Sequence, residues 1–247
     1  MNRKGERVNN AQLRENERCL KDFQRENLGA SMSFDACMSA DRGNRVLRAR
    51  ERTLTRESKK CDPLAVAPPF AYTDSATVNT AAVNEAQWLT REIFGAPQVD
   101  DADLATSAGD REKARCQLEM LRRADRLETA VLKELNKAKR KAIREETVDG
   151  NAALEAELWD VFASNQRVDR HQERLSDRVD RKCDALTDPL DTIFPGACGM
   201  GNPTLSEVED CAIAAARCAA CVKINAFDAL NLDCDQADDQ LPNGSCP

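Results

Sequence analysis

Aromatic side chains are scarce in this sequence: seven Phe, two Trp and one Tyr make up 4% of 247 residues, against 32% charged residues. Aromatics bury the most area per side chain, so long, thin helical packing is favoured over a thick globular core. Histidine occurs once. That residue, His171, lies among Arg170, Gln172, Glu173 and Arg174 with no nucleophile beside it, so it reads as a lone surface residue. No stretch approaches the roughly 20 apolar residues of a membrane span. Positive charge opens the chain over residues 1–10 without an apolar run behind it, so no signal peptide is expected there. An exported protein would then need its true start to lie upstream.

Cysteine, by contrast, is abundant. Eleven are present, six of them between Cys198 and Cys246, which is hard to reconcile with a reducing cytosol unless they bind metal or perform redox chemistry. With a single histidine in a different block and without the two C-x₂-C motifs of a zinc ribbon in the tail, a zinc site is disfavoured and no cofactor is implied. Disulfides remain, and with them an extracellular or periplasmic setting.

The net charge of −7 conceals a segregation. Residues 1–61 carry +6, 62–110 carry −7, 111–183 carry +3 and 184–247 carry −9. Basic helical blocks thus alternate with acidic connecting ones, which suits an electrostatic match within the chain, between chains, or with an outside polyanion.

Two stretches follow one plan. The first runs from Glu17-Arg-Cys19-Leu20 to Ser58-Lys-Lys-Cys61-Asp-Pro-Leu64, the second from Lys113-Ala-Arg-Cys116 to Asp180-Arg-Lys-Cys183-Asp-Ala-Leu186, and we read an internal duplication. In the second, Leu118, Leu121, Ala124, Val131, Leu135, Ala138 and Ala142 recur at helical spacing, as do Leu154, Leu158, Val161, Val168, Leu175 and Val179 after the breaker Val148-Asp-Gly-Asn151. Asn165 and Gln172 interrupt the second stripe as polar residues that fix the register of the seam.

Residues equidistant from the turn of an antiparallel hairpin face each other. Cys116 and Cys183 are centred on Asp149-Gly150, and Cys19 and Cys61 on residue 40, next to Asp41-Arg-Gly-Asn44. Pairing Cys19 with Cys61 and Cys116 with Cys183 is therefore expected, each bridge contributing about 3 to 4 kcal/mol by loop closure. Cys37 is left over as a free thiol. The remaining cysteines, Cys198, Cys211, Cys218, Cys221, Cys234 and Cys246, are expected to pair among themselves, in an order the spacing leaves open.

The fold expected is all-α: two long stapled hairpins at 1–64 and 111–186, an acidic connector with one short helix (Thr80–Phe94, ended by Gly95 and Pro97) at 65–110, and a cysteine-rich acidic module at 187–247. Within that module Thr204-Leu-Ser-Glu207 is a capping box, and a further helical stretch lies near Asn225–Leu230. The run Gly201-Asn-Pro-Thr-Leu-Ser-Glu-Val-Glu-Asp-Cys211, with Arg217-Cys-Ala-Ala-Cys221, Asn225-Ala-Phe-Asp-Ala-Leu-Asn-Leu-Asp-Cys-Asp235 and the Asn-Gly-Ser-Cys-Pro ending, resembles the C-terminus of a group of uncharacterised, cysteine-rich, repeat-bearing helical bacterial proteins, many predicted to be exported. The resemblance covers about the last 50 residues. It implies a secreted or envelope-facing protein and no known activity.

Three motifs suggest chemistry. Cys218-Ala-Ala-Cys221 has the spacing of a thiol-disulfide oxidoreductase, yet it falls late in a helix, where the dipole opposes a thiolate. Asp233, Asp235, Asp238 and Asp239 supply oxygens for a calcium ion, without the Gly and closing Glu of an EF-hand loop. Arg42, Arg45, Arg48, Arg50, Arg52 and Arg56 form a basic cluster without interleaved aromatics. The reading that follows is a non-enzymatic secreted or envelope-associated structural or binding protein, open to a helical partner or self-association. A polyanion-binding module built on the first hairpin is the alternative.

Overall fold

In the computed structural model, which describes residues 2–29, 32–64, 68–95, 104–241 and 243–246, the chain is all-helical, with no strand among those residues. The principal helices are α1 (Asn2–Gln24), α3 (Arg45–Lys60), α4 (Ser75–Phe94), α5 (Arg111–Arg144), α6 (Asn151–Ala163), α7 (Gln166–Cys183) and α9 (Leu205–Asp228). Short helices α2 (Phe34–Ala40), α8 (Leu190–Ile193) and α10 (Cys234–Asp239) fill the connections. In the first half α1 packs on α3 and α4. In the second, α5 packs on α7 and α9 in the same pattern, and the halves meet where α1 lies on α5 and α4 on α9. Buried residues from α1 to α10 form one hydrophobic cluster.

The helix signals act locally as capping chemistry dictates. Asp74 accepts from Thr77 N to start α4, Asp110 from Lys113 N to start α5, and Thr204 with Glu207 completes the capping box of α9. Helix α4 thus begins five residues before the expected Thr80, while Pro97 lies outside the described residues. The stretch near Asn225 is no separate helix but the last turns of α9, and the next helix is α10 in the tail. The second long arm is also broken: Ser164 and Asn165 are extended, and the Asn165 side chain accepts from Arg167 N and Val168 N to cap α7. Its polarity serves that cap rather than the register of a seam.

Five disulfides frame the structure. Cys116 near the start of α5 and Cys183 at the end of α7 are joined, Cα atoms 5.1 Å apart. The tail pairs internally as Cys198–Cys211, Cys218–Cys246 and Cys221–Cys234. In the first half the expected pairing is corrected: Cys19 bonds Cys37, and Cys61 is the free thiol. The reason is an earlier reversal. Helix α1 ends at Gln24, the chain turns through Glu26 and Gly29, both at positive φ, and α2 folds back on α1. Residue 28, midway between Cys19 and Cys37, falls in that turn. After a second turn at Asp41–Asn44, α3 runs back along α1 until Arg56 stands beside Arg3 and Lys4. Cys61 therefore ends at the α1 N-terminus, about 24 Å along the helix from Cys19 at 1.5 Å per residue.

With few aromatics available, polar side chains cross-link the core. Asn16 Nδ2 donates to Ala86 O and Thr90 Oγ1, and Gln24 Nε2 donates to Ala114 O. Phe34, Phe94 and Phe194 stack in sequence, with centroids 6.3 and 6.2 Å apart. Gly5 lets α1 approach α4 and α9, since a Cβ there would lie 2.6 Å from the Phe227 ring and 2.8 Å from Val78 Cγ1. At the centre, Lys223 Nζ of α9 donates to Glu128 Oε1 of α5 at 2.7 Å, both side chains fully buried, and Asn9 Nδ2 of α1 donates to Glu128 Oε2 at 2.8 Å.

Removing one member of such a pair strands the other charge in a medium of low dielectric. Lys223→Met should therefore lower the unfolding free energy by about 3 to 5 kcal/mol, and Glu128→Gln in the same background should restore at least half of that loss. Urea unfolding measures both. A loss below about 1 kcal/mol for Lys223→Met would show that water reaches the pair.

Candidate functional site

The basic face lies between α1 and α3. On α3, Val46, Ala49 and Thr53 are buried, while Arg45, Arg48, Arg52 and Arg56 follow one another along an exposed stripe at three- and four-residue spacing. Asp41 holds the start of this helix by accepting from Arg45 N, Val46 N and Leu47 N. Arg7 and Arg14 of α1 face that stripe across a groove of about 350 Å³, floored by Ala11 and Ala49. Toward the α1 N-terminus the groove continues, through the shared Arg7, into a cavity of about 470 Å³ whose wall includes Arg56 and three residues of α5. On the other flank of α1 a third recess, about 510 Å³, shares Arg14 and mixes Arg122, Arg126, Arg167 and His171 with the carboxylates of Glu17 and Asp125.

Electrostatically the α1–α3 groove is uncompensated. Among the described residues Arg7, Arg14, Arg45, Arg48, Arg52 and Arg56 have no carboxylate within ion-pair distance. Lys4 is held below the usual lysine range by burial first and then by the charges of Arg7, Arg56 and Arg52. Burial likewise lowers the His171 imidazole, helped by Arg174, Arg126, Arg123 and Arg167, so His171 is part of a recess of mixed charge rather than an isolated surface residue.

Of the six arginines singled out in the sequence, four line these hollows. Arg42 instead pairs with Asp22 of α1, and Arg50 lies outside them. The contributions of α1 and α5 escaped sequence reasoning, although Arg3, Arg7 and Arg14 recur at helical spacing and carry the signal.

The other sequence candidates are employed elsewhere. Cys218 and Cys221 are bonded to Cys246 and Cys234 rather than to each other. The tail carboxylates hold loop geometry: Asp233 caps α10, Asp235 accepts from Cys246 N, Asp238 from Ser245 Oγ at 2.6 Å, and Asp239 from Leu241 N and Asn243 Nδ2. Asp235 is held below the usual carboxylate range by the Gly244, Cys246 and Ser245 donors. Among the described residues no three His, Cys, Asp or Glu side chains are grouped to hold a metal ion.

No protein-family model matches this chain, and neither a curated protein nor a solved structure shows significant similarity to it.

Two measurements follow from these assignments. Alkylation of the folded, unreduced protein should modify one cysteine, Cys61, with Cys37 reacting only after reduction; rapid labelling of Cys37 would overturn the pairing. Burial also pushes the Glu209 carboxyl on α9 up to about 7, reinforced by Asp180 and Asp210 and opposed by a hydrogen bond to Ser176. The folded state thus keeps a proton that the unfolded chain releases above its ordinary value of 4.5, so this group's contribution to stability falls as pH rises from 4.5 to about 7. Glu209→Gln should be more stable than the parent at pH 8 and no more stable at pH 4. Thermal melts with equal spacing at both pH values would refute this.

Proposed function

We propose that the protein is a non-enzymatic binding protein of an oxidising, extracellular or periplasmic compartment, and that its α1–α3 groove holds an acidic polysaccharide. The observation that carries the reading is the double row of arginines, Arg7 and Arg14 facing Arg45, Arg48 and Arg52, without carboxylate partners among the described residues. Guanidinium groups fork onto sulfate and carboxylate oxygens, and the row on α3 that lines the groove runs about 10 Å from Arg45 to Arg52, longer than one small anionic group. No aromatic ring lines the groove, which removes the stacking platform that single-stranded nucleic acids use. Five disulfides, and no helix among the described residues long and apolar enough to cross a membrane, accord with that setting.

The internal duplication also belongs to this reading. It is supported by the like packing of α1 on α3 and α4, and of α5 on α7 and α9. The two units differ in what they display: the first exposes the arginine row, whereas the second carries the disulfide-rich tail.

Retention on immobilised heparin at low salt is the test. The logarithm of affinity should fall linearly with the logarithm of salt, and Arg48→Gln with Arg52→Gln should flatten that slope by about two, roughly one per lost contact. Failure to bind, or equal retention of the double variant, would refute the groove. Tighter binding to duplex DNA than to heparin would reassign the ligand.

A further inference from the structure

The hollow where α1, α3 and α5 converge differs from the groove beside it in drawing its wall from three helices. Arg3, Lys4 and Arg7 come from α1, Arg56 from α3, and Asn136, Lys139 and Arg140 from α5, around about 470 Å³. No aliphatic or aromatic residue takes part, so the apolar surface of the wall is supplied by the stems of the basic side chains, and the volume falls in the range of small-ligand sites.

Six of the seven wall residues are cations, and their partners are unequal. Lys139 is anchored, ion-paired with Asp228 and donating to Ala71 O at 3.1 Å. Arg140 Nε is fixed on Asn136 O at 3.0 Å, which leaves the outer edge of its guanidinium free to meet a ligand. Arg3, Lys4, Arg7, Arg56 and Arg140 have no carboxylate within ion-pair distance among the described residues. Bringing five such charges from three helices to one hollow costs repulsion that a counter-anion removes.

A neutral group points to the same conclusion. Asn136 is only 2% exposed, and neither its Oδ1 nor its Nδ2 completes a hydrogen bond of normal geometry, although the Glu6 carboxyl lies within reach. A buried amide left in that state costs free energy, and a ligand oxygen accepting from Nδ2 would recover it. Glu6 is the acidic group at this corner. Burial raises its carboxyl, while Asn136, Arg140, Arg3 and Lys133 oppose that shift, and the side chain is not part of the cavity wall.

From this geometry we infer that the cavity is a receptor for one compact, multiply charged anion carrying several phosphate or sulfate ester groups. Arginine forks supply bidentate donors to tetrahedral oxyanions, Lys4 supplies a point charge, and Asn136 supplies a neutral donor. The inference goes beyond the groove reading. Only Arg7 is common to the two hollows, so each can fail without the other.

Calorimetric titration of the intact, unreduced protein with inositol hexakisphosphate and with inositol hexasulfate, at fixed ionic strength, tests it. The two probes share a scaffold and differ in the ester. Saturable binding of one probe molecule per chain is expected for at least one of them, with a raised melting temperature. The better-bound probe identifies the ester. Arg56→Gln with Arg140→Gln, both exposed side chains whose loss leaves the core intact, should weaken binding at least tenfold while heparin retention persists. Arg45→Gln with Arg48→Gln, in the groove, should leave probe affinity within about threefold while weakening heparin retention. Binding of neither probe, several molecules per chain, or equal weakening by both variant pairs would overturn the site. Melting curves confirm that every variant is folded.

Discussion

The rest of this fold is arranged around a buried ion pair. Glu128 and Lys223 meet in the middle of the bundle with no exposed surface, and Asn9 completes the contact, so one carboxylate joins α1, α5 and α9. The pair also charges its surroundings. Glu85 is raised by burial, with Lys223 opposing and Glu128 adding repulsion, and Asp125 is held well above the usual carboxylate range by burial and then by Glu128 and Glu17. A polar centre of this kind fixes which helices face one another more firmly than the amount of surface they bury, because any slip leaves a charge without its partner.

Such a centre suits a chain poor in large apolar side chains. Alanine fills much of α9, where Ala212, Ala216, Ala219 and Ala220 are fully buried, and small residues let backbones approach but contribute little area each. The deficit is met by polar cross-links from α1 and by covalent bonds. Arg217 shows the style of construction in the tail: its guanidinium donates to Ala237 O at 3.0 Å and Phe162 O at 2.8 Å and lies 6.0 Å from the Phe162 ring centroid, tying α6 and the tail to α9.

The all-helical class and the Cys116–Cys183 bridge were legible in the sequence because α5 carries an unbroken apolar stripe and only one strong breaker, Asp149-Gly150, follows it. The first half offered two reversals of similar strength, Glu26–Gly29 and Asp41–Asn44, and symmetry about the second suggested the wrong partner for Cys19. Geometry across helices decides that choice, and local propensity does not encode it. The basic face was half legible for the same reason. Its α3 residues stand together in sequence, whereas Arg7 and Arg14 complete the groove, and Arg3, Lys4, Asn136 and Arg140 the neighbouring cavity, only once α1 and α5 are packed. The carboxylates of the tail misled in the opposite direction, since an acidic cluster reads as a cation site until each oxygen is seen holding a backbone or side-chain donor in the terminal loop.

The disulfide pattern has a topological consequence. Every bridge closes within one part of the chain: Cys19–Cys37 before residue 61, the other four after residue 115. No covalent bond other than the backbone between Cys37 and Cys116 links the two parts. A single proteolytic nick between α4 and α5 would yield two fragments, each internally cross-linked, held together without a covalent bond by the packing of α1 on α5 and α4 on α9 and by polar cross-links such as Gln24–Ala114. Their recognition would depend on Asn9 of one fragment reaching the Glu128–Lys223 pair of the other, so the molecule is built as a complementing pair of pieces that happen to share one chain.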